Sequence, residues 1–197
     1  MALLTPVCFK FRILARAALR WFLVLALFRF MVPALSAGEA PLSETQVKAA
    51  FLVNFTKYVE WPEKAFSSTN APFVIAVRGD DGMADELSKM IDGRSYNGHP
   101  LSCRKLGTGD ALTGCQLLFV SATEQRRYRE ILDGAGRTNA NVLTVGESSD
   151  FLEKGGILNL ARQDKKITVE VSLAAARKAE LKISSKLLGV AQVRKDP

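Results

Sequence analysis

Apolar and polar positions recur along this chain with two different periods, and the changes between them mark its elements. Val47, Ala50, Phe51, Asn54, Phe55, Tyr58 and Val59 follow one another at helical spacing. Ser43-Glu44-Thr45-Gln46 just before them has the form of a capping box. Pro62 ends this helix, because the residue before a proline is pushed out of helical space. Phe73-Val74-Ile75-Ala76-Val77, bounded by Pro72 and Gly79, predicts a short buried strand. Met83 to Ile91 then predicts a helix, Pro100 to Leu106 a second strand, Gln116 to Val120 a third, Thr123 to Leu132 a helix, and Asn141 to Val145 a fourth strand. A helical turn is expected over Ser148 to Leu152. Ile157 to Leu160 and Ile167 to Val171 are separated by six residues, which implies an antiparallel hairpin. Short helices from Leu173 to Ala179 and from Ser184 to Val190 complete the pattern. Strands alternating with helices predict an α/β fold, a Rossmann-like sandwich: a mixed, mainly parallel sheet with helices on both faces and a C-terminal antiparallel hairpin.

The first forty residues follow a different rule. Lys10, Arg12, Arg16 and Arg20 precede an apolar run from Trp21 to Val32, interrupted by Arg29, and small residues follow at Ala34-Leu35-Ser36-Ala37. A basic start, a short apolar core and a small-residue exit describe a cleavable secretory signal, expected over residues 1–37 with cleavage near residues 36–40. The apolar run is short of the roughly 20 residues that a membrane-spanning helix needs. One domain is expected over residues 41–193, delivered to a periplasm.

Removing the signal changes the charge. The whole chain has 27 basic and 20 acidic residues, a formal +7, and five of the basic ones lie in the signal. A mature chain of 22 basic and 20 acidic residues has no clustered basic face of the kind nucleic acid requires, so no nucleic-acid partner is expected. Arg126-Arg127-Tyr128-Arg129 reads as a solvated helix face. Cys8 leaves with the signal, and an even pair, Cys103 and Cys115, remains. In an exported protein such a pair favours a disulfide, here between strands expected to be neighbours; two buried thiols are the other reading.

Catalytic patterns are missing. Gly79-Asp80-Asp81-Gly82 stands where a dinucleotide-binding loop would lie, but its acids would repel a pyrophosphate, and it reads as a turn and helix cap. Asp80, Asp81 and Asp85 lack the alternating spacing and closing glutamate of a calcium loop. His99 is the one histidine, with no acid close in sequence, and reads as a turn residue rather than a metal ligand. Gly155-Gly156 reads as a tight turn. Thr144-Val145-Gly146-Glu147, at the carboxyl end of a strand, points to a small-molecule pocket there. No enzyme, cofactor or metal is expected. In the first helix Phe51 and Phe55 read as packing against the sheet, whereas Trp61-Pro62 could be core or a partner's anchor.

Lys48-Ala49-Ala50-Phe51-Leu52-Val53-Asn54-Phe55-Thr56-Lys57-Tyr58-Val59-Glu60-Trp61-Pro62 resembles the opening signature of the YfiR-like periplasmic proteins. Cys115-Gln116-Leu117-Leu118-Phe119-Val120 resembles their cysteine-led central strand. Leu143-Thr144-Val145-Gly146, Phe151 with Gly155-Gly156-Ile157, and Leu181-Lys182-Ile183-Ser184-Ser185-Lys186-Leu187-Leu188 resemble their later blocks. The resemblance implies a non-enzymatic repressor of a membrane-bound diguanylate cyclase, acting on the cyclase's periplasmic portion and lowering cyclic di-GMP and biofilm formation. It also implies an outer-membrane lipoprotein that can sequester the repressor, and self-association as a homodimer. Lys57, Tyr58, Glu60, Trp61 and Pro62 are the candidate partner contacts. The best-known repressor has two disulfides, whereas this mature chain can form only one. The competing expectation is a periplasmic small-ligand binder with its pocket at the carboxyl edge of the sheet.

Overall fold

The capping box at Ser43 is formed as its residues require: the Ser43 hydroxyl accepts from the Gln46 backbone N–H, and the Gln46 side chain accepts from the Ser43 N–H. It opens helix α1, Glu44–Tyr58. The computed structural model describes residues 42–194 except residues 139 and 165, so the expected signal over residues 1–37 lies outside the described residues. The other elements are β1 (Val59–Glu60), β2 (Phe73–Arg78), α2 (Asp81–Ile91), β3 (Ser95–Tyr96), β4 (His99–Leu106), β5 (Leu117–Val120), α3 (Tyr128–Thr138), β6 (Leu143–Gly146), β7 (Leu158–Gln163), β8 (Lys166–Ser172), α4 (Leu173–Lys178), β9 (Lys182–Ile183), α5 (Ser185–Leu188) and β10 (Gln192–Arg194).

Eight strands form the main sheet in the order β10-β8-β7-β6-β5-β2-β4-β3. The five strands from β4 to β7 run parallel, as the alternating strand–helix pattern predicts. The β7–β8 hairpin is antiparallel with Leu158 opposite Val171, and β10 adds parallel to β8. The sheet is therefore mixed and mainly parallel. Chain order along its parallel part is second, first, third, fourth, fifth, so the direction of winding reverses between β2 and β5.

Side chains alternate across this sheet. Ile75 and Val77 of β2 join a core with Leu52 and Phe55 of α1 and Met83 and Leu87 of α2. Ala76 joins a second core with Tyr128, Ile131 and Ala135 of α3. A strand buried on both faces has no polar alternation, which is why β2 and β5 read as apolar runs.

Where element bounds differ from the sequence pattern, local chemistry accounts for it. The helix expected from Thr123 to Leu132 is a 3-10 turn over Ala122–Arg127 followed by α3, which continues through Gly134 and Gly136 to Thr138. Those glycines look like stops, but packing of Leu132 and Ala135 outweighs their propensity cost of about 1 kcal/mol each. Tyr128, expected on a solvated face, is fully buried. Helix α1 ends at Tyr58 rather than at Pro62, because Val59 is extended and enters a two-stranded ladder with β9.

Candidate functional site

The expected partner contacts straddle the end of α1. Lys57 and Tyr58 close the helix and are exposed; Val59 is buried, Glu60 exposed, Trp61 buried and Pro62 half-buried. From Tyr58 onward the chain alternates out and in with period two, as a strand does. The ladder holds this alternation: Val59 pairs with Ile183 and Glu60 with Lys182, and the Ser184 N–H donates to the Tyr58 carbonyl at 2.8 Å. Exposed polar groups and the Tyr58 ring thus share one surface.

Trp61 does not belong to that surface. Its ring is 8% exposed and meets Phe73 edge-on at 4.8 Å and Tyr96 at 5.5 Å between centroids. The indole N–H donates to the Gln116 carbonyl at 3.0 Å. Its inclusion among the exposed contacts is corrected: apolar surface and the one polar atom of the ring are both satisfied inside. The candidate set reduces to Lys57, Tyr58, Glu60 and Pro62.

The carboxyl edge of the sheet, where winding reverses between β2 and β5, is where open α/β sheets receive ligands. Here the chain's own residues occupy it. The Ser121 N–H donates to the Arg78 carbonyl at 3.0 Å, and the Thr123 hydroxyl donates to the Gly79 carbonyl at 2.9 Å. Gly79 has φ +83°, and a Cβ there would lie 2.6 Å from the Thr123 hydroxyl. Glu147, just past β6, accepts from the Ser121 hydroxyl at 2.9 Å and the Ala122 N–H at 2.8 Å, while its other oxygen takes Lys48 at 2.7 Å. Lys48 also reaches Glu44 at 2.6 Å, and Glu44 reaches Arg162 at 2.7 Å. Burial works against the Lys48 charge, but its bonds to Glu147 and Glu44 prevail and raise its pKa. The hydrogen bond from Lys48 holds Glu44 below its ordinary value. The pocket expected at this edge is therefore not open: Glu147 anchors a closed junction. Sequence reasoning missed Lys48, although a lysine on the inner half of an apolar helix needs an acid to meet it.

A groove of about 560 Å³ lies elsewhere, between α3, the Gly155–Ile157 turn and α4, lined by Leu132, Ala135, Val142, Ser172 and Ala175. Ile157 leads into β7 and Ser172 ends the antiparallel β8, so this is the amino edge of the parallel strands. Asp80 caps α2, accepting from the Met83 N–H at 2.9 Å, as the turn reading required. Asp85 pairs with Lys105 at 2.8 Å. His99 Nδ1 must donate to the Ala71 carbonyl at 2.6 Å, and its ring stacks on Phe66 at 3.9 Å. Among the described residues no group of three or more His, Cys, Asp or Glu could hold a metal ion.

The expected disulfide is also corrected. Cys103 on β4 pairs in register with Ile75, and Ile75 pairs on its other side with Leu117, two residues after Cys115. Strand β2 thus runs between them, and two strand spacings are roughly 10 Å, whereas a bridge needs Cα atoms within about 7 Å. The thiols also face opposite ways. Cys103 Sγ donates to the Ala84 carbonyl of α2 at 3.5 Å, and Cys115 Sγ donates to the Leu112 carbonyl on the other face at 3.8 Å. No disulfide joins them. Burial pushes the Cys115 thiol up to about 11 and raises Cys103 as well.

Comparisons with known proteins follow the fold. A conserved domain protein from Vibrio cholerae O1 biovar El Tor superposes with a TM-score of 0.51 at 13% identity, over 78% of this chain and 61% of that one. An ABC domain from Streptococcus pneumoniae, solved with L-Trp, gives a TM-score of 0.49 at 10% identity, over 76% of this chain and 60% of that one. This chain thus spans about three-fifths of the length of each. At such identities the likeness to the Vibrio protein shows the fold alone. A search of curated protein sequences returns no match. The family model described as YfiR/HmsC-like matches residues 45–192, from the first turn of α1 to the first residue of β10. The chain belongs to the YfiR/HmsC-like family.

Proposed function

We propose that this protein is a periplasmic regulatory binding protein that holds a membrane-bound diguanylate cyclase inactive through the cyclase's periplasmic portion. Cyclic di-GMP and biofilm formation fall as a result. The observation that carries this reading is the family match across residues 45–192. Among the described residues no helix is long and apolar enough to cross a membrane. Exposed Lys57, Tyr58 and Glu60, with half-buried Pro62, supply a contact surface on a rigid support, since the β1–β9 ladder fixes it against the core. A repressor of this kind works only through differential affinity: it must bind the inactive state of the cyclase more tightly than the active one. An outer-membrane lipoprotein that sequesters the repressor, and a homodimer, belong to the same proposal. Deleting the gene should raise cellular cyclic di-GMP, and re-expressing the exported protein should restore it. An unchanged level, with the protein shown to be present in the parent strain, would refute repression.

A second reading, small-ligand binding, is favoured by the groove of about 560 Å³ at the amino edge of the sheet. A metabolite that binds there should raise the melting temperature in proportion to the logarithm of its concentration once above Kd.

A further inference from the structure

Helix α1 carries apolar side chains around its whole circumference, whereas a helix lying on a sheet needs them on one side only. The inward side is occupied by Ala49, Leu52, Val53 and Phe55, all buried. Val47 and Phe51 are half-buried beside them, Phe51 with one side packed against the core, and Tyr58 is 36% exposed. With Asn54 they follow at spacings of four, three and four, which places them in one stripe along the helix. Leu42, 70% exposed, prolongs the stripe beyond the cap.

Beside this stripe the β7–β8 hairpin forms the other wall of a groove of about 500 Å³. Leu42, Val47, Phe51 and Ile167 line it, with Arg162 and Lys166 at its rim. Arg162 pairs with Glu44 at 2.7 Å, while Lys166 makes no ion pair among the described residues. Two cations therefore face one carboxylate. An apolar groove with a polar rim is a usual mark of an interaction site, and the surplus positive charge selects an acidic partner.

Resting on the repressor reading above, we infer that this stripe and groove dock an apolar segment flanked by acidic side chains, supplied by the periplasmic portion of the cyclase. Its apolar side chains enter between Phe51 and Ile167, and a carboxylate meets Lys166. This is the helix-in-groove mode of recognition, in which anchors at helical spacing fill a hydrophobic trough.

The test places the photo-crosslinking residue p-benzoylphenylalanine at Val47 in the full-length protein in cells, with the same residue at Arg137, exposed on α3, as control. The expected result is a light-dependent adduct from position 47 and not from 137, mapped by mass spectrometry to an acid-flanked apolar segment of a diguanylate cyclase. Lys166→Glu should lower the adduct yield about tenfold at low salt, since it sets like charges against each other. An adduct with a second copy of this chain, with residues 38–41 of the same chain, or with any other protein would overturn the inference. So would no adduct at all. Cyclic di-GMP after gene deletion is measured in the same strain: a rise without the adduct removes this surface and leaves repression standing, whereas no rise removes repression itself.

Discussion

The Trp61 indole N–H and the Gln116 carbonyl meet at 3.0 Å across 55 residues of chain. That carbonyl also accepts the Leu143 N–H at 2.9 Å, and the Gln116 side chain accepts from the Val74 N–H and donates to the Ala65 carbonyl. One residue thus gathers β2, β6 and the segment after α1. Trp61→Ala should destabilise the domain by about 3–5 kcal/mol, the usual cost of deleting a buried aromatic ring. Trp61→Phe should cost less, about 1–2 kcal/mol, because the Gln116 carbonyl keeps its bond from Leu143. Tyr58→Ala, at an exposed position, should stay within about 0.5 kcal/mol and yet weaken repression. Denaturant unfolding paired with a cyclic di-GMP measurement separates the two; unaltered unfolding in Trp61→Ala would contradict the packing described.

The acid and alkaline limits of stability follow from the Glu44–Lys48–Glu147 chain. Glu44 has a lowered pKa, so its contribution is complete above pH 4.5, its ordinary value, and is lost as pH falls through the folded value. Asp150, lowered by its hydrogen bond from Lys154, acts in the same direction. Lys48 has a raised pKa, so its contribution is complete below pH 10.5 and disappears as pH rises through the folded value. Midpoints of urea unfolding should form a plateau between these limits. Glu44→Gln should flatten the acid side; an unchanged acid slope in that variant would show that the pair contributes nothing.

Cysteine labelling gives a separate check. A thiol reacts as its thiolate, and at pH 8 a thiol of pKa about 11 is almost wholly protonated. Half-buried Cys103 should react with iodoacetamide faster than buried Cys115, and both should react fully once the protein is unfolded without reductant. Peptide mapping that finds Cys103 linked to Cys115 would require β2 to leave its place between β4 and β5.

Phe151 lies against two glycines. A Cβ added at Gly146 or at Gly156 would clash with the Phe151 ring, and Gly156 is further held by a bond from its N–H to the Phe151 carbonyl at 3.0 Å. Gly146→Ala should destabilise by about 1–3 kcal/mol through overpacking. Combining it with Phe151→Leu should cost less than the sum of the two changes, because the smaller side chain makes room. A strictly additive double variant would show that the ring and the glycine do not touch.

Much of this architecture was legible in the residues, and for a definite reason. Strands buried on both faces, such as Phe73–Arg78 and Leu117–Val120, announce themselves as apolar runs, and Ser43 with Gln46 specifies a helix start within four residues. What escaped was set by distant partners. Val59–Glu60 and Lys182–Ile183 are strands only because they find each other, and two-residue segments carry no period. Trp61 was ambiguous because a hot-spot tryptophan and a core tryptophan have the same composition around them; the alternation of Tyr58, Val59, Glu60 and Trp61 was the available signal. The cysteine pair misled because adjacency was inferred from chain order, whereas β2 inserts itself between β4 and β5.

Helix α1 meets its ionic partners very late in the sequence. Lys48 reaches Glu147 and Glu44 reaches Arg162, separations of 99 and 118 residues. Chains are made from the N-terminus, so the apolar side of this helix can pack on β2 and α2 soon after it emerges, whereas its ion pairs wait for about a hundred further residues. Contacts of that range close slowly. The ion-paired side of α1 should therefore lock only after β6 and the β7–β8 hairpin are in place, later than its apolar side.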